Sequence, residues 1–232
     1  MLIIISVSAF AQSNKWFLSF STGPVVGGPV SSIKHQMRNQ GFDDNEISTF
    51  AIWGDGNTSY PKGRGMSFLI RGGKKLTEYK SIYIVAGVAS TATVEGFKVK
   101  GWSDGFFGLF AGSYGDYISV DVNNYQLTTG YMYSFPKSKT QIGIGPSIYV
   151  LNCRTSVNHS GENGHTSVIP GLNFTTRLPI GKAKKMFGME LIFEGNMAPS
   201  VRMKSEEPQA DFQLKNVRMF SATAGLAFTF KG

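Results

Sequence analysis

Cysteine is nearly missing from this sequence. Cys153 is the only one in 232 residues, so no disulfide forms within the chain. Charge is scarce too: Asp, Glu, Lys and Arg make up 16%, against about a quarter in an average soluble domain. Past the first dozen residues there is no run of about 18 apolar residues, which excludes a spanning helix. Histidine is limited to His35, His159 and His165, which form no close ligand pair, so no metal site is indicated.

Aromatics and glycine are abundant, with 18 Phe, 9 Tyr and 28 Gly. Few charges with many aromatics and glycines suit a β-rich chain that meets lipid. The net charge is +8, but the lysines sit mostly in short connectors. There is no basic helix and no nucleic-acid motif, so nucleic acid is not an expected partner. The length suits one domain with a sizeable core.

Residues 1–10 read MLIIISVSAF, a short apolar run ending in Ala9-Phe10-Ala11. That is the small-x-small pattern a signal peptidase accepts. Cleavage after Ala11 would leave Gln12 first, which divides the chain into a signal peptide, 1–11, and a barrel domain, 12–232. The competing reading is a buried first strand over Leu2–Val7.

Two-residue alternation dominates the rest. Phe220, Ala222, Ala224, Leu226, Phe228 and Phe230 share one face of the last segment, and Ser221, Thr223, Gly225, Ala227 and Thr229 the other. A helix, with its period of 3.6, would scatter both sets. The pattern recurs with Ile142, Ile144, Pro146, Ile148 and Val150; with Val168, Pro170, Leu172, Phe174, Leu178 and Ile180; and with Phe187, Met189, Leu191 and Phe193. It recurs again with Tyr125, Leu127, Tyr131, Tyr133 and Phe135; with Trp16, Leu18 and Phe20; with Met66, Phe68 and Ile70; and with Ile82, Ile84, Ala86 and Val88. Phe17, Leu69, Val85 and Ile192 fall on the other, inner parity.

Connector lengths alternate as well. The joints near 72–79, 136–140 and 181–185 are short and basic, carrying Lys74, Lys75, Lys137, Lys139, Lys182, Lys184 and Lys185. The joints near 24–62, 91–116, 152–165 and 196–214 read as long loops, and Cys153 falls in one of them. Most acidic residues lie in these long joints. Short turns on one side and longer loops on the other is the arrangement of an outer-membrane barrel. A soluble barrel would carry many Lys and Glu on its outward strand positions. Here the second face is Ser, Thr, Gly, Asn and Gln, with Arg71 and Arg177 set against Glu190 and Glu194 as a lumenal polar network. Trp16, Phe174, Phe193, Phe228 and Phe230 are then expected to face lipid.

Three features together resemble the small outer-membrane β-barrels of the OmpA-like and OprF-like transmembrane type, and among these the Bacteroidota barrel proteins. They are the start Ala9-Phe10-Ala11-Gln12, strands such as Gly171–Gly181 (GLNFTTRLPIG), and the close Ala224–Phe230 (AGLAFTF). An aromatic near the end of the last strand is similar to the signal by which such barrels are recognised for insertion; here Lys231 and Gly232 follow it. The resemblance covers nearly the whole chain. It implies an architecture rather than an activity.

Few residues suggest chemistry. His165-Thr166-Ser167 has the His and Ser spacing of outer-membrane lipid A deacylases, where a base deprotonates a hydroxyl and a third group orients the base. Both residues have the lumenal parity, however, and no acid has a convincing spacing. In the first long joint, SSIKHQMRNQG (31–41) reads as a short helix capped by Ser31 or Ser32, with Ile33 and Met37 on one face and Gly41 at its end.

The expected fold is therefore all-β: an antiparallel up-and-down transmembrane barrel of about eight strands in the cell outer membrane. The expected role is non-enzymatic, that of a structural or accessory subunit docking partners through its outer loops or lipid-facing wall. Its partners would be outer-membrane lipid and a larger outer-membrane complex, with no cofactor. A lipid-modifying enzyme of the deacylase or acyltransferase kind, or a narrow channel, are the alternatives.

Overall fold

The computed structural model describes residues 16–50, 65–103, 112–158, 160–181, 187–203, 214 and 216–231. The signal segment, Lys182, Lys184, Lys185 and His159 lie outside the described residues. Eleven strands are β1 (Trp16–Gly27), β2 (Ile47–Phe50), β3 (Gly65–Lys75), β4 (Lys80–Ser103), β5 (Gly112–Ser134), β6 (Gln141–Val157), β7 (Ser160–Ile180), β8 (Phe187–Met197), β9 (Val201–Arg202), β10 (Asn216–Val217) and β11 (Ser221–Lys231). One helix, α1 (Gly28–Asn39), follows β1.

Eight of these strands close into a ring in the order β1-β3-β4-β5-β6-β7-β8-β11, every neighbour antiparallel. Closure is made by β1 on β11, in register from Phe17 opposite Lys231 to Gly27 opposite Ser221. The short joints lie at the end where β1 begins and β11 finishes. The fold is thus an all-β, antiparallel up-and-down barrel of the transmembrane kind, as the alternation and joint lengths predict.

On the wall the apolar set points outward. Phe20, Ile70, Ile84, Leu127, Ile144, Phe174, Phe193 and Phe228 are exposed. Along the last strand, Phe220 through Phe230 covers about 33 Å, or about 25 Å along the axis at the usual tilt, the height of an outer-membrane apolar band. Phe17, Leu69 and Val85 turn inward, where they pack with Tyr83 and Met132; Ile192 is buried too. Gly130 and Gly143 leave room for the Tyr83 phenol, because a Cβ at either would press on its ring or hydroxyl.

The joints 91–116 and 152–165 depart from the sequence reading. They are not loops for most of their length: β4 and β5 run on to Ser103 and from Gly112, and β6 and β7 continue to Val157 and from Ser160. Cys153 accordingly sits in β6 and is buried. A bulge between Val88 and Ser90 shifts the β4 register against β5. It turns Ala92 and Val94 inward where the previous parity pointed them out.

Polarity inverts across this level. Below it the wall is apolar outside and largely polar inside. Above it the outward row of β4 and β5 is largely polar, with Thr93 donating to Asp121 and Tyr117 donating to Glu95 (2.8 Å), and Phe97 is the exposed apolar exception; at the level of the bulge buried Thr91 donates to Asn123 (2.7 Å). The inward row is apolar: Ala92, Val94, Ile118, Val120, Val122, Leu151, Cys153 and Ile169. Among the described residues β8 pairs with β7 only from Leu172 downward, so the sheet opens on that side above the inversion.

Helix α1 fills the upper interior. Gly27 and Gly28, with φ of 81° and 65°, turn the chain inward from β1. Pro29 then takes the first turn, where its missing N–H costs nothing. Val30, Ile33 and Met37 recur at helical spacing and pack into the β4–β5 core with Phe42 and Ile47. The helix starts before the expected Ser31 or Ser32 cap. Ser32 serves elsewhere: it donates to the Asn216 carbonyl and accepts from the Arg218 N–H, holding α1 to the β8–β11 connector. Gly41, with φ of 89°, follows the helix end.

Truncating this filling should loosen the upper half alone. Ile33→Ala and Met37→Ala are each expected to lower stability by about 2–5 kcal/mol. Denaturant unfolding in detergent measures this, with strand circular dichroism retained and the exposed Ser31→Ala as the neutral control.

Candidate functional site

The lower interior gathers the charges that alternation places on one parity. Arg71 on β3 reaches past β1 and β11 to form an ion pair with Glu194 on β8, and its Nη2 also donates to Thr175 Oγ1 (3.2 Å). Its guanidinium lies over the Tyr83 ring, 5.1 Å from the centroid. Arg177 on β7 pairs with Glu190 on β8 and donates to Ser19 Oγ (2.9 Å) and Thr229 Oγ1 (2.7 Å). Thr229 in turn donates to Glu190 (3.1 Å). All four charged residues are buried. Two positive and two negative charges cancel, which is the condition under which such groups stay ionised away from water.

Uncharged residues extend the network. Asn173 donates to Asn196 (2.9 Å), which also accepts from Tyr149 Oη (3.0 Å). Thr128 and Ser147 share a hydrogen bond of 2.6 Å between β5 and β6. Strand alternation made Arg71, Arg177, Glu190 and Glu194 legible and gave Tyr149 and Ser19 the same inner parity, whereas which groups they meet follows from the closed ring, and Asn196 fell in a segment that reads as a loop. Chemically the arrangement cross-links the wall. It offers neither an exposed nucleophile nor an open coordination position, and among the described residues no group of three metal-ligating side chains occurs.

The second predicted set lies on the opposite surface. Trp16, Phe174, Phe193, Phe228 and Phe230 are all exposed on the outer wall. Three of them are braced by neighbours: Phe230 meets Phe20 and Phe187 edge-on, Phe228 stacks on Phe187, and the Lys74 ammonium stands 5.3 Å from the Trp16 ring centroid.

His165 and Ser167 are hydrogen-bonded, Nε2 to Oγ, at 2.8 Å. They share the inward parity with buried Ile169, and His165 is the cross-strand partner of Cys153. No carboxylate hydrogen-bonds His165 among the described residues, so a base is present without the group that would orient it.

No family model matches this chain, and no curated protein matches it. Among solved structures it is similar to Neisserial surface protein A, at 10% identity and a TM-score of 0.41, over 95% of this chain and 98% of that one. It is also similar to Ail, the attachment invasion locus protein of Yersinia pestis, solved in complex with the heparin analogue sucrose octasulfate. That likeness has 10% identity and a TM-score of 0.42, over 93% of this chain and 99% of that one.

Breaking one partner of a buried pair strands the other charge. Arg71→Met or Glu194→Leu alone is expected to cost about 3–5 kcal/mol, while the double variant recovers most of that loss. A double-mutant cycle from thermal unfolding in detergent reads the coupling.

Proposed function

We propose that this protein is a non-catalytic outer-membrane barrel, a structural or accessory subunit that carries a rigid projection above the bilayer. One observation supports the reading above the rest: polarity inverts along the strands. An apolar exterior of about 25 Å suits hydrocarbon, and the polar exterior above it suits water. The upper parts of β4 to β7, with α1 inside, then form the face on which a larger envelope assembly docks. Lipid contacts the belt. Kinship with the OmpA-like barrels of Bacteroidota, and removal of residues 1–11 on export, belong to the same proposal and rest on the sequence pattern.

Both alternatives lose support from the interior. A channel needs a wet path, but apolar side chains around α1 occupy the upper storey and paired charges the lower one. A lipid-modifying enzyme needs its reacting groups toward lipid, and His165 and Ser167 turn the other way.

Single cysteines introduced in a Cys153→Ala background test the placement. Asp121→Cys on the upper outward row should react with a membrane-impermeant maleimide on intact cells. Ile144→Cys in the belt should not, and Lys137→Cys should react only after permeabilisation; uniform labelling of all three sinks the proposal. Purified protein in planar bilayers should show no conductance. Lipid A mass spectra from cells expressing wild type and His165→Ala/Ser167→Ala should be identical to those of cells lacking the protein, and any shift specific to wild type would restore the enzyme.

A further inference from the structure

We propose that the short-turn end of the barrel is a binding surface for the phosphate headgroups of anionic phospholipids, built from Lys74, Lys75, Lys80, Lys137 and Lys139. This rests on the reading of the apolar belt as membrane-embedded. Two turns supply the surface, the β3–β4 turn at 76–79 and the β5–β6 turn at 135–140. They are neighbours in the ring, since the Ser134 N–H donates to the Tyr79 carbonyl (2.7 Å) and Lys80 stands in register with Tyr133. Around them five lysines face a single acidic residue, Glu78. Four of the five are exposed, and Lys74 is half-buried against Trp16.

Depth identifies the ligand. Trp16, Tyr79, Tyr133 and Phe135 are exposed at this same level, and Tyr133 meets Phe135 edge-on at 5.2 Å. An aromatic girdle marks the headgroup boundary of a barrel. The Lys74 ammonium over Trp16 is therefore held at phosphate depth. A soluble polyanion would need only the charge. This surface continues directly into the belt at Ile82, Tyr131 and Ile142, so its occupant is an amphiphile with acyl chains on those residues and its phosphate among the lysines. The opposite end mixes signs, with Asp44, Glu46, Glu95 and Asp121 beside Lys98, Arg154 and Arg202. Selection for anionic lipid therefore falls on one leaflet.

Trp16 is placed to report the contact. In a Trp53→Phe/Trp102→Phe variant it is the sole tryptophan. The protein is reconstituted into phosphatidylcholine vesicles containing an equal minor fraction of either brominated phosphatidylglycerol or brominated phosphatidylcholine, with bromines on shallow acyl carbons. Quenching of Trp16 should favour the phosphatidylglycerol by about three- to tenfold, given the attraction of clustered lysines for anionic headgroups. The preference should collapse toward parity at high salt, where the screening length shrinks to a few ångströms. It should vanish on replacing the five lysines by glutamine and persist on replacing them by arginine. The arginine variant separates charge from any loss of fold. Equal quenching by both lipids overturns this proposal and leaves the membrane reading intact; no quenching by either overturns the membrane reading itself.

Discussion

In hydrocarbon a peptide N–H or C=O without a partner costs several kcal/mol, and no water is at hand to supply one. The rest of this structure follows from that constraint. It demands a closed sheet within the belt, and the pairing of β1 with β11 provides it. The ladder thins at Gly23–Pro24 opposite Ala224–Gly225, and at Thr129–Gly130 opposite Gly145–Pro146. A proline stands at each place and has no N–H to leave unpaired. Among the described residues the sheet opens beside β7 only above the inversion, where water can reach the edge.

Closure of eight strands fixes the interior volume, and volume decides what fills it. Half the wall is short, with β1, β3, β8 and β11 at 11 or 12 residues, and half is tall, with β4, β5, β6 and β7 at 17 to 24. Within the belt the lumen can be polar because the exterior supplies the apolar contact with lipid. Above the belt the exterior meets water, so the hydrophobic driving force acts inward and requires a core. Helix α1 and Val201, Met203, Leu214, Val217 and Met219 from the β8–β11 connector complete that core against the tall strands. One chain thus uses a membrane-protein interior and a soluble-protein interior in the same barrel.

Alternation carried most of this information. The last strand, the four charged residues of the lumen and the outward aromatics were all legible, because a period of two separates faces irrespective of which face is wet. The upper extensions were not. Thr91 to Glu95 and Asn152 to Thr166 look like loops when apolar-out is taken as the rule, since their outward residues are polar. Val94, Val120 and Leu151 then read as isolated hydrophobes. The Val88–Ser90 bulge also breaks parity just where the reading needed it. The helix was visible from Ile33 and Met37, but its start was misplaced because Ser32 hydrogen-bonds to a connector more than 180 residues away, a partner no local pattern reveals.

Joining β1 to β11 has a consequence in time. The two strands that close the ring stand far apart in the sequence, so closure waits until β11 has been made. Until then β1 presents a bare edge and a row of apolar side chains to whatever surrounds it. The topology thereby forbids the piecemeal folding that local helices allow.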